Sequence, residues 1–211
     1  MNNDKQNILV AGANGKTGRI IINLLKDSDK YNPIAMVRKQ EQKERFEKEN
    51  VTTVLADLEN DLTEAVKNVD KVIFTAGSGG EDIIQVDQEG AKRLADAAKT
   101  AKVKKYVMLS SMGTDNPSSI PQIEDYLKAK HNAEEYLKIS GLDYSIVRPG
   151  ALKNDDGTGK IELSEKLGKS GKISRHDVAK TLVGVLDDDI QYRKVLEIIT
   201  GESPIEEAIR S

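Results

Sequence analysis

The chain has no cysteine, no tryptophan, two phenylalanines and two histidines in 211 residues. Without thiols, disulfides, thiolate metal sites and cysteine nucleophiles are excluded. His131 and His176 lie 45 positions apart, too far for a compact histidine motif, and no metal is expected. No apolar run approaches the roughly 18 residues that a membrane-spanning helix needs. Met1–Gln6 is polar, with neither the apolar stretch nor the cleavage site of a secretory leader. An excess of one charge is missing too: 32 Lys+Arg against 35 Asp+Glu leave a net charge of −3. The short basic stretch Lys102–Lys105 is broken by Val103, so sequence-independent nucleic-acid binding is not expected. What remains is a soluble, cytoplasmic globular chain with neither nucleic acid nor membrane as partner.

What is present is an alternation. Short apolar runs at Asn7–Ala11, Ile34–Val37, Val51–Ala56, Lys71–Ala76, Tyr106–Leu109 and Tyr144–Val147 read as strands. Between them lie helical patterns at Thr17–Leu25, Gln40–Glu49, Leu62–Val66, Ile83–Ala101 and Ile123–Ile139. Short strands alternating with helices predict βαβ units, a parallel sheet and, with right-handed crossovers, a doubly wound α/β fold of the Rossmann type. Lys153–Lys160 is the clearest irregular loop. Beyond it the pattern weakens to a helix at His176–Leu186, a strand at Val195–Thr200 and a short terminal helix. There is no linker, so one domain over 1–211 is expected, with 151–211 as a small extension on the substrate side.

The first strand runs into Gly12-Ala13-Asn14-Gly15-Lys16-Thr17-Gly18, a GxxGxxG spacing that opens a helix. Gly12 permits a tight turn, Gly15 lets backbone approach a pyrophosphate, and Gly18 lets the helix pack close to the strand. The amides at the helix start then face the phosphates. The second strand ends in Val37-Arg38-Lys39, with no acid until Glu41. A carboxylate there would bond the ribose 2′-hydroxyl of NAD, whereas a guanidinium pairs with a 2′-phosphate. Arg38 therefore points to NADP(H) as cofactor.

Along Ile123–Leu137, residues Ile123, Tyr126, Lys130, Ala133 and Leu137 fall on one helical stripe. Lys130 sits in the middle of that apolar face, where an ammonium is costly without a partner. The i, i+4 spacing places it beside Tyr126. A nearby cation favours the phenolate, moving a tyrosine from its usual pKa of about 10 towards working pH. Such a tyrosine can protonate a carbonyl oxygen during hydride transfer. A packed tyrosine beside a snorkelling lysine is the alternative. Ser110-Ser111, closing the fifth strand, adds hydroxyls to the same neighbourhood.

Together these residues resemble the short-chain dehydrogenase/reductase superfamily, in its atypical NAD(P)-binding branch of NmrA-like and flavin/biliverdin-reductase-like proteins. The likeness covers nearly the whole chain. It is carried by Gly12–Gly18, Ala56-Asp57-Leu58, Leu109–Gly113, Tyr126–Lys130, Ser140–Gly150 and Ile173–Ala179. The resemblance implies that Gly12, Asn14, Gly15, Lys16, Thr17 and Gly18 cradle the cofactor, with Asp57 and Leu58 near adenine. It implies that Thr75, Ala76 and Gly77 flank the cofactor and that Pro149 and Gly150 sit beside the nicotinamide. Ser111 would orient a substrate carbonyl, Tyr126 would be the acid/base, and Lys130 would hold the nicotinamide ribose.

Simpler roles compete for several of these residues. Asp57 caps a turn in one reading, either serine bonds only backbone, and Pro149-Gly150 terminates a strand. Ser174 followed by Asp177 reads as a helix cap. Asp187-Asp188-Asp189 reads as a solvated helix end whose acids oppose the helix dipole. Neither histidine is assigned a role. Only 61 residues follow Gly150, fewer than nucleotide-sugar members use for a C-terminal domain, so a small, open substrate site is expected. The leading expectation is an NADPH-dependent reductase of a small carbonyl, quinone or flavin-like acceptor. The alternative is a non-catalytic NADP(H)-binding redox sensor or regulator.

Overall fold

In a computed structural model that describes residues 5–211, the chain forms a mainly parallel sheet with helices on both faces. The reading of Met1–Gln6 therefore lies, for Met1–Asp4, outside the described residues. The first half runs β1 (Gln6–Ala11), α1 (Lys16–Lys26), β2 (Tyr31–Val37), α2 (Gln40–Lys48), β3 (Thr52–Leu55) and β4 (Lys71–Phe74). The second half runs through a π-helix (Ile83–Gly90), α3 (Ala91–Thr100), β5 (Lys105–Leu109), α4 (Glu124–Ile139) and β6 (Tyr144–Pro149). The C-terminal part adds β7 (Ala151–Lys153), β8 (Lys160–Ser164), β9 (Lys172–Ser174), α5 (Arg175–Gly184), β10 (Lys194–Thr200), β11 (Ser203–Pro204) and α6 (Ile205–Ala208).

Strand order is β3-β2-β1-β4-β5-β6-β10-β8-β11. All pairings from β3 to β10 are parallel, and β8 and β11 close the far edge antiparallel. The order reverses between β1 and β4, the place where open α/β sheets form a crevice at their carboxyl ends. The two-residue side-chain period of the strands feeds two cores. Ile8, Val10, Ile73, Val107 and Val147 pack with α1 and α5 on one face. Leu9, Ala11, Val72, Phe74, Tyr106 and Met108 pack with α3 and α4 on the other. Among the described residues no helix is long and apolar enough to cross a membrane.

Three expectations change. Leu62–Val66 forms turns rather than a helix; five residues cannot close enough i→i+4 bonds to repay helix nucleation. Ile83–Ala101 is not a uniform α-helix, because its first eight residues are wound wider as the π-helix. The stripe on α4 also turns. Lys130, Ala133 and Leu137 are buried, but Ile123 precedes the helix and is 41% exposed, because this end borders an open cleft.

The acids after α5 are compensated from beneath the sheet. Lys71 of β4 donates to the Leu186 carbonyl at 2.7 Å and pairs with Asp188 at 2.7 Å. Lys105 of β5 donates to the Asp187 and Ile190 carbonyls at 2.7 Å each. Tyr31 donates to Asp187 at 2.6 Å. Two buried ammonium groups thus satisfy carbonyls of the turn that follows α5 and offset its acids. At the other end of α5, Ser174 Oγ accepts from the Asp177 amide at 3.0 Å, as a cap should. The Asp177 carboxylate accepts from the Thr158 and Gly159 amides at 2.9 Å each and so anchors the irregular loop.

The β1–α1 turn is the tightest element. Gly12 has φ +86°, and a Cβ there would stand 2.6 Å from the Ala76 amide nitrogen. A Cβ on Gly18 would stand 2.2 Å from the Gly12 carbonyl oxygen. Gly18→Ala should therefore lower stability by about 1–3 kcal/mol or more in urea unfolding, the scale of an overpacked core. Lys71→Met should lower it by about 1–3 kcal/mol, because a buried carbonyl loses its donor. Burial, then the Lys71 ammonium, lowers the pKa of Lys105 from 10.5 to about 8. The unfolded chain thus holds this proton more tightly than the folded one. Its contribution to stability rises with pH between about 8 and 10.5. The neutral amine still donates to both carbonyls. Lys105→Met should flatten that rise, read from unfolding midpoints on either side of pH 8.

Candidate active site

At the start of α1, Gly15 caps the helix in an extended conformation with φ −71°, without a side-chain cap. The first turn contains no acid, so its open amides and the positive end of the helix dipole face outward. A Cβ on Gly15 would approach only the Gly12 carbonyl, at 3.2 Å. The space in front of Gly15 is therefore open to a ligand, unlike the packed space at Gly12 and Gly18. Asn14 is pinned: its Oδ1 accepts from Arg19 at 3.0 Å and from Arg45. Both guanidiniums lie over the Phe46 ring, at 5.5 and 6.0 Å from its centroid.

A cleft in two compartments follows the carboxyl edge of the sheet. The first, about 330 Å³, is lined by Gly12, Asn14, Gly15, Arg38, Asp57, Leu58, Thr75, Ala76 and Gly77, together with Gln42 and Ser78. The second, about 780 Å³, is lined by Gly15, Lys16, Thr17, Gly18, Thr75, Ala76, Gly77, Ser110, Tyr126 and Lys130, with Leu152 and Arg175 from the C-terminal part. The two meet at Gly15 and Thr75–Gly77, across the switch point. Asp57 Oδ1 also accepts from the Glu59 amide at 3.1 Å, so the turn-capping role is real beside its place in the cleft.

Ser111, Pro149 and Gly150 line neither compartment. Ser111 Oγ turns to the Met112 carbonyl at 3.2 Å. Ser110 reaches the cleft instead, where its hydroxyl donates to Glu134. Pro149 is buried in β6. Gly150 packs behind it, where a Cβ would stand 2.4 Å from the Gly171 carbonyl oxygen.

Two buried ion pairs engage α4, one of them beside Tyr126. Lys130 Nζ lies 3.2 Å from Asp87 Oδ1 and 3.3 Å from the Ala76 carbonyl. The Lys130 and Asp87 side chains are 5% and 1% exposed. Asp87 Oδ2 accepts from the Ser78 amide and hydroxyl at 2.9 Å each, tying the backbone after β4 to the same pair. Lys130 Nζ also stands 5.7 Å from the Tyr126 ring centroid and 5.6 Å from that of Phe74. The second pair joins Glu134 to Arg148 through two hydrogen bonds, one from Nε at 3.0 Å. Glu134 further accepts from Thr114 at 3.0 Å. Burial disfavours the Arg148 cation, but the hydrogen bonds and charge of Glu134 outweigh it and raise the guanidinium pKa.

The sequence reading assigns no role to Asp87, Glu134 and Arg148, although all three carry the signal that finds Lys130, and it notes Ser110 only as a hydroxyl beside Ser111. Asp87 lies four and seven residues before Ala91 and Leu94, on their buried face. Glu134 lies four residues after Lys130, and Arg148 interrupts a buried strand. A charge on an apolar stripe demands a partner, and each has one.

Comparison with known proteins agrees with this arrangement. The profile of a family described as NAD(P)H-binding matches residues 12–189. A Bacillus subtilis relative named as the sugar epimerase YhfK is 37% identical over 211 residues, covering 96% of this chain and 98% of its own. The structure of a Bacillus halodurans protein described as an NAD-dependent epimerase/dehydratase superposes with a TM-score of 0.92 at 37% identity, covering 97% of this chain and 98% of its own. That of the Lactococcus lactis oxidoreductase ylbE does so with a TM-score of 0.87 at 30% identity, over 97% and 95%. The chain belongs to the NAD(P)H-binding family of Rossmann-fold proteins.

Proposed function

We propose that the protein is an NADPH-dependent oxidoreductase that reduces a small acceptor. The observation that supports this most directly is the two-compartment cleft, joined at Gly15 and Thr75–Gly77. Arg38 stands in its first half and Tyr126 and Lys130 in its second. A dinucleotide fits the residues present. The uncapped, acid-free start of α1 and the open face of Gly15 suit a diphosphate. Arg38 is exposed and, among the described residues, has no carboxylate partner, which leaves it for a 2′-phosphate. Asp57 and Leu58 border the adenine end, and Lys130 faces the nicotinamide ribose. Bound NADPH would supply a hydride. Leu152 and Arg175 line the second compartment, which supports the reading of residues 151–211 as the substrate side of a single domain.

NADPH oxidation across aldehydes, ketones and quinones tests the reading. Tight NADPH binding without turnover of any acceptor would favour the regulator instead. Arg38→Ala should weaken NADPH by about 1–3 kcal/mol, the scale of a charged hydrogen bond, and leave NADH nearly unchanged. Calorimetric titration of both cofactors measures this, and equal losses would remove Arg38 from the phosphate. Gly15→Val should fold, because its backbone angle suits any residue, yet bind NADPH at least about 100-fold more weakly. Near-normal binding by the folded variant would remove the phosphate loop from the site.

A further inference from the structure

We propose that Arg93, which lines neither compartment of the cleft, is the positioning residue for its adenine end: it holds the Leu58 turn and the π-helix together and so sets the wall against which the adenine half of the cofactor binds. The inference rests on the cofactor reading of the first compartment and deepens it.

Arg93 projects from the first turn of α3. It lines a separate groove of about 940 Å³, together with Leu62, Val66 and Ala97. Leu58 lines the cofactor compartment, and Glu59 borders both spaces. The guanidinium joins the two sides. Its Nη1 donates to the Leu58 carbonyl at 2.7 Å, and its Nη2 donates to Gln85 Oε1 at 3.0 Å. Nη1 also reaches the Gln85 carbonyl, at 3.5 Å. One cation thus ties the turn after β3 to the start of the π-helix. Both segments line the compartment, the turn through Asp57 and Leu58, the π-helix and its cap through Val86 and Asp82. A planar fork with several donors can hold two such acceptors at once.

The turn has need of this tie. Strand β3 ends at Leu55, and the Ala56 amide still reaches the sheet, at 2.9 Å from the Val37 carbonyl. Beyond it, the peptide that joins Leu58 to Glu59 is fixed at both ends. Its amide donates to Asp57 Oδ1 at 3.1 Å, and its carbonyl accepts from Arg93. Gly90 of the π-helix lets Leu58 close in, since a Cβ there would stand 2.8 Å from Leu58 Cβ. Arg93 holds that contact shut from the groove side. Without it, the part-buried Leu58 carbonyl loses a charged donor and must turn to water for another. That rotation carries Leu58 and the neighbouring Asp57 away from the ligand.

Calorimetric titration of the whole chain with NADPH and with adenosine 2′,5′-bisphosphate, the adenine half alone, tests this. Arg93→Met keeps the stem and removes the donors. It should weaken both ligands by the same factor, about 10-fold, the worth of one charged hydrogen bond. The factors should match because the nicotinamide half meets none of the displaced wall. Tyr136→Phe is the control. It removes a 2.7 Å bond to Asp96 of α3, so it loosens the same helix without touching Leu58, and both affinities should stay unchanged. Should Arg93→Met not fold, Gln85→Met, which takes away one of the two side-chain anchors, is read in its place and should weaken both ligands about 3-fold. Fragment binding absent from the wild type or unchanged in the variant, a loss for NADPH alone, or an equal loss in Tyr136→Phe overturns this inference and leaves the cofactor reading standing. A wild-type chain that binds neither ligand overturns both.

Discussion

The architecture depends on how closely the β1–α1 turn approaches the end of β4. Gly12 sits against the Ala76 backbone and Gly18 against the Gly12 carbonyl, with no room for a Cβ at either contact. This packing draws the start of α1 over the switch point. From there its free amides and the backbone of Thr75–Gly77 face one another across the cleft. If the turn were looser, the two compartments would not share a floor, and a single extended ligand could not run from Arg38 to Tyr126. Gly15 belongs to the same turn but not to the same constraint. Its freedom serves the ligand, whereas that of Gly12 and Gly18 serves the fold.

The two edges of the sheet handle buried charge differently. At the amino edge, Lys71 and Lys105 are spent on backbone carbonyls and on acids that are themselves partly in water. There the gain is structural, since carbonyls of the turn after α5 would otherwise be left unsatisfied. At the carboxyl edge, Lys130 and Arg148 meet carboxylates as buried as themselves. Each carboxylate holds a further hydroxyl, Ser78 for Asp87 and Ser110 for Glu134. The π-helix contributes to this. Wider helical turns of this kind recur at functional sites, and here the wide segment carries Asp87 beneath the backbone that follows β4.

Much of the fold was legible because strands and helices leave periodic marks. The six parallel strands of the first 150 residues and the tight glycine turn before α1 follow from apolar runs and glycine spacing. Leu62–Val66 misled because a five-residue apolar pattern cannot separate a turn from a helix. The antiparallel edge of β8 and β11 was invisible, since its pairings are made late, short and far from their sequence neighbours. At the site, Tyr126, Lys130 and Arg38 could be read from position, and all three line the cleft. Ser110 could not be told from Ser111, because the choice is made by Glu134, a residue 24 positions away. The burial argument applied to Lys130 also applies to Asp87. Applied to both, it marks each as needing a buried partner without saying which.

Stability alone does not account for the pairs at the carboxyl edge. A buried ion pair recovers little beyond its desolvation, and apolar residues of similar volume commonly do as well or better. The two cores on either face of the sheet are aliphatic and aromatic, and other buried charges, Lys71 and Lys105 among them, lie away from the cleft. The two pairs stand where the cleft passes closest to α4, each in contact with a residue that lines it. They lie beside the cleft rather than within either apolar core. A lysine kept beside the cleft without its carboxylate would add a full charge to a site already facing a helix dipole and the exposed Lys16. Asp87 offsets that added charge, while Lys16 and Arg175 still stand on the wall of the same compartment.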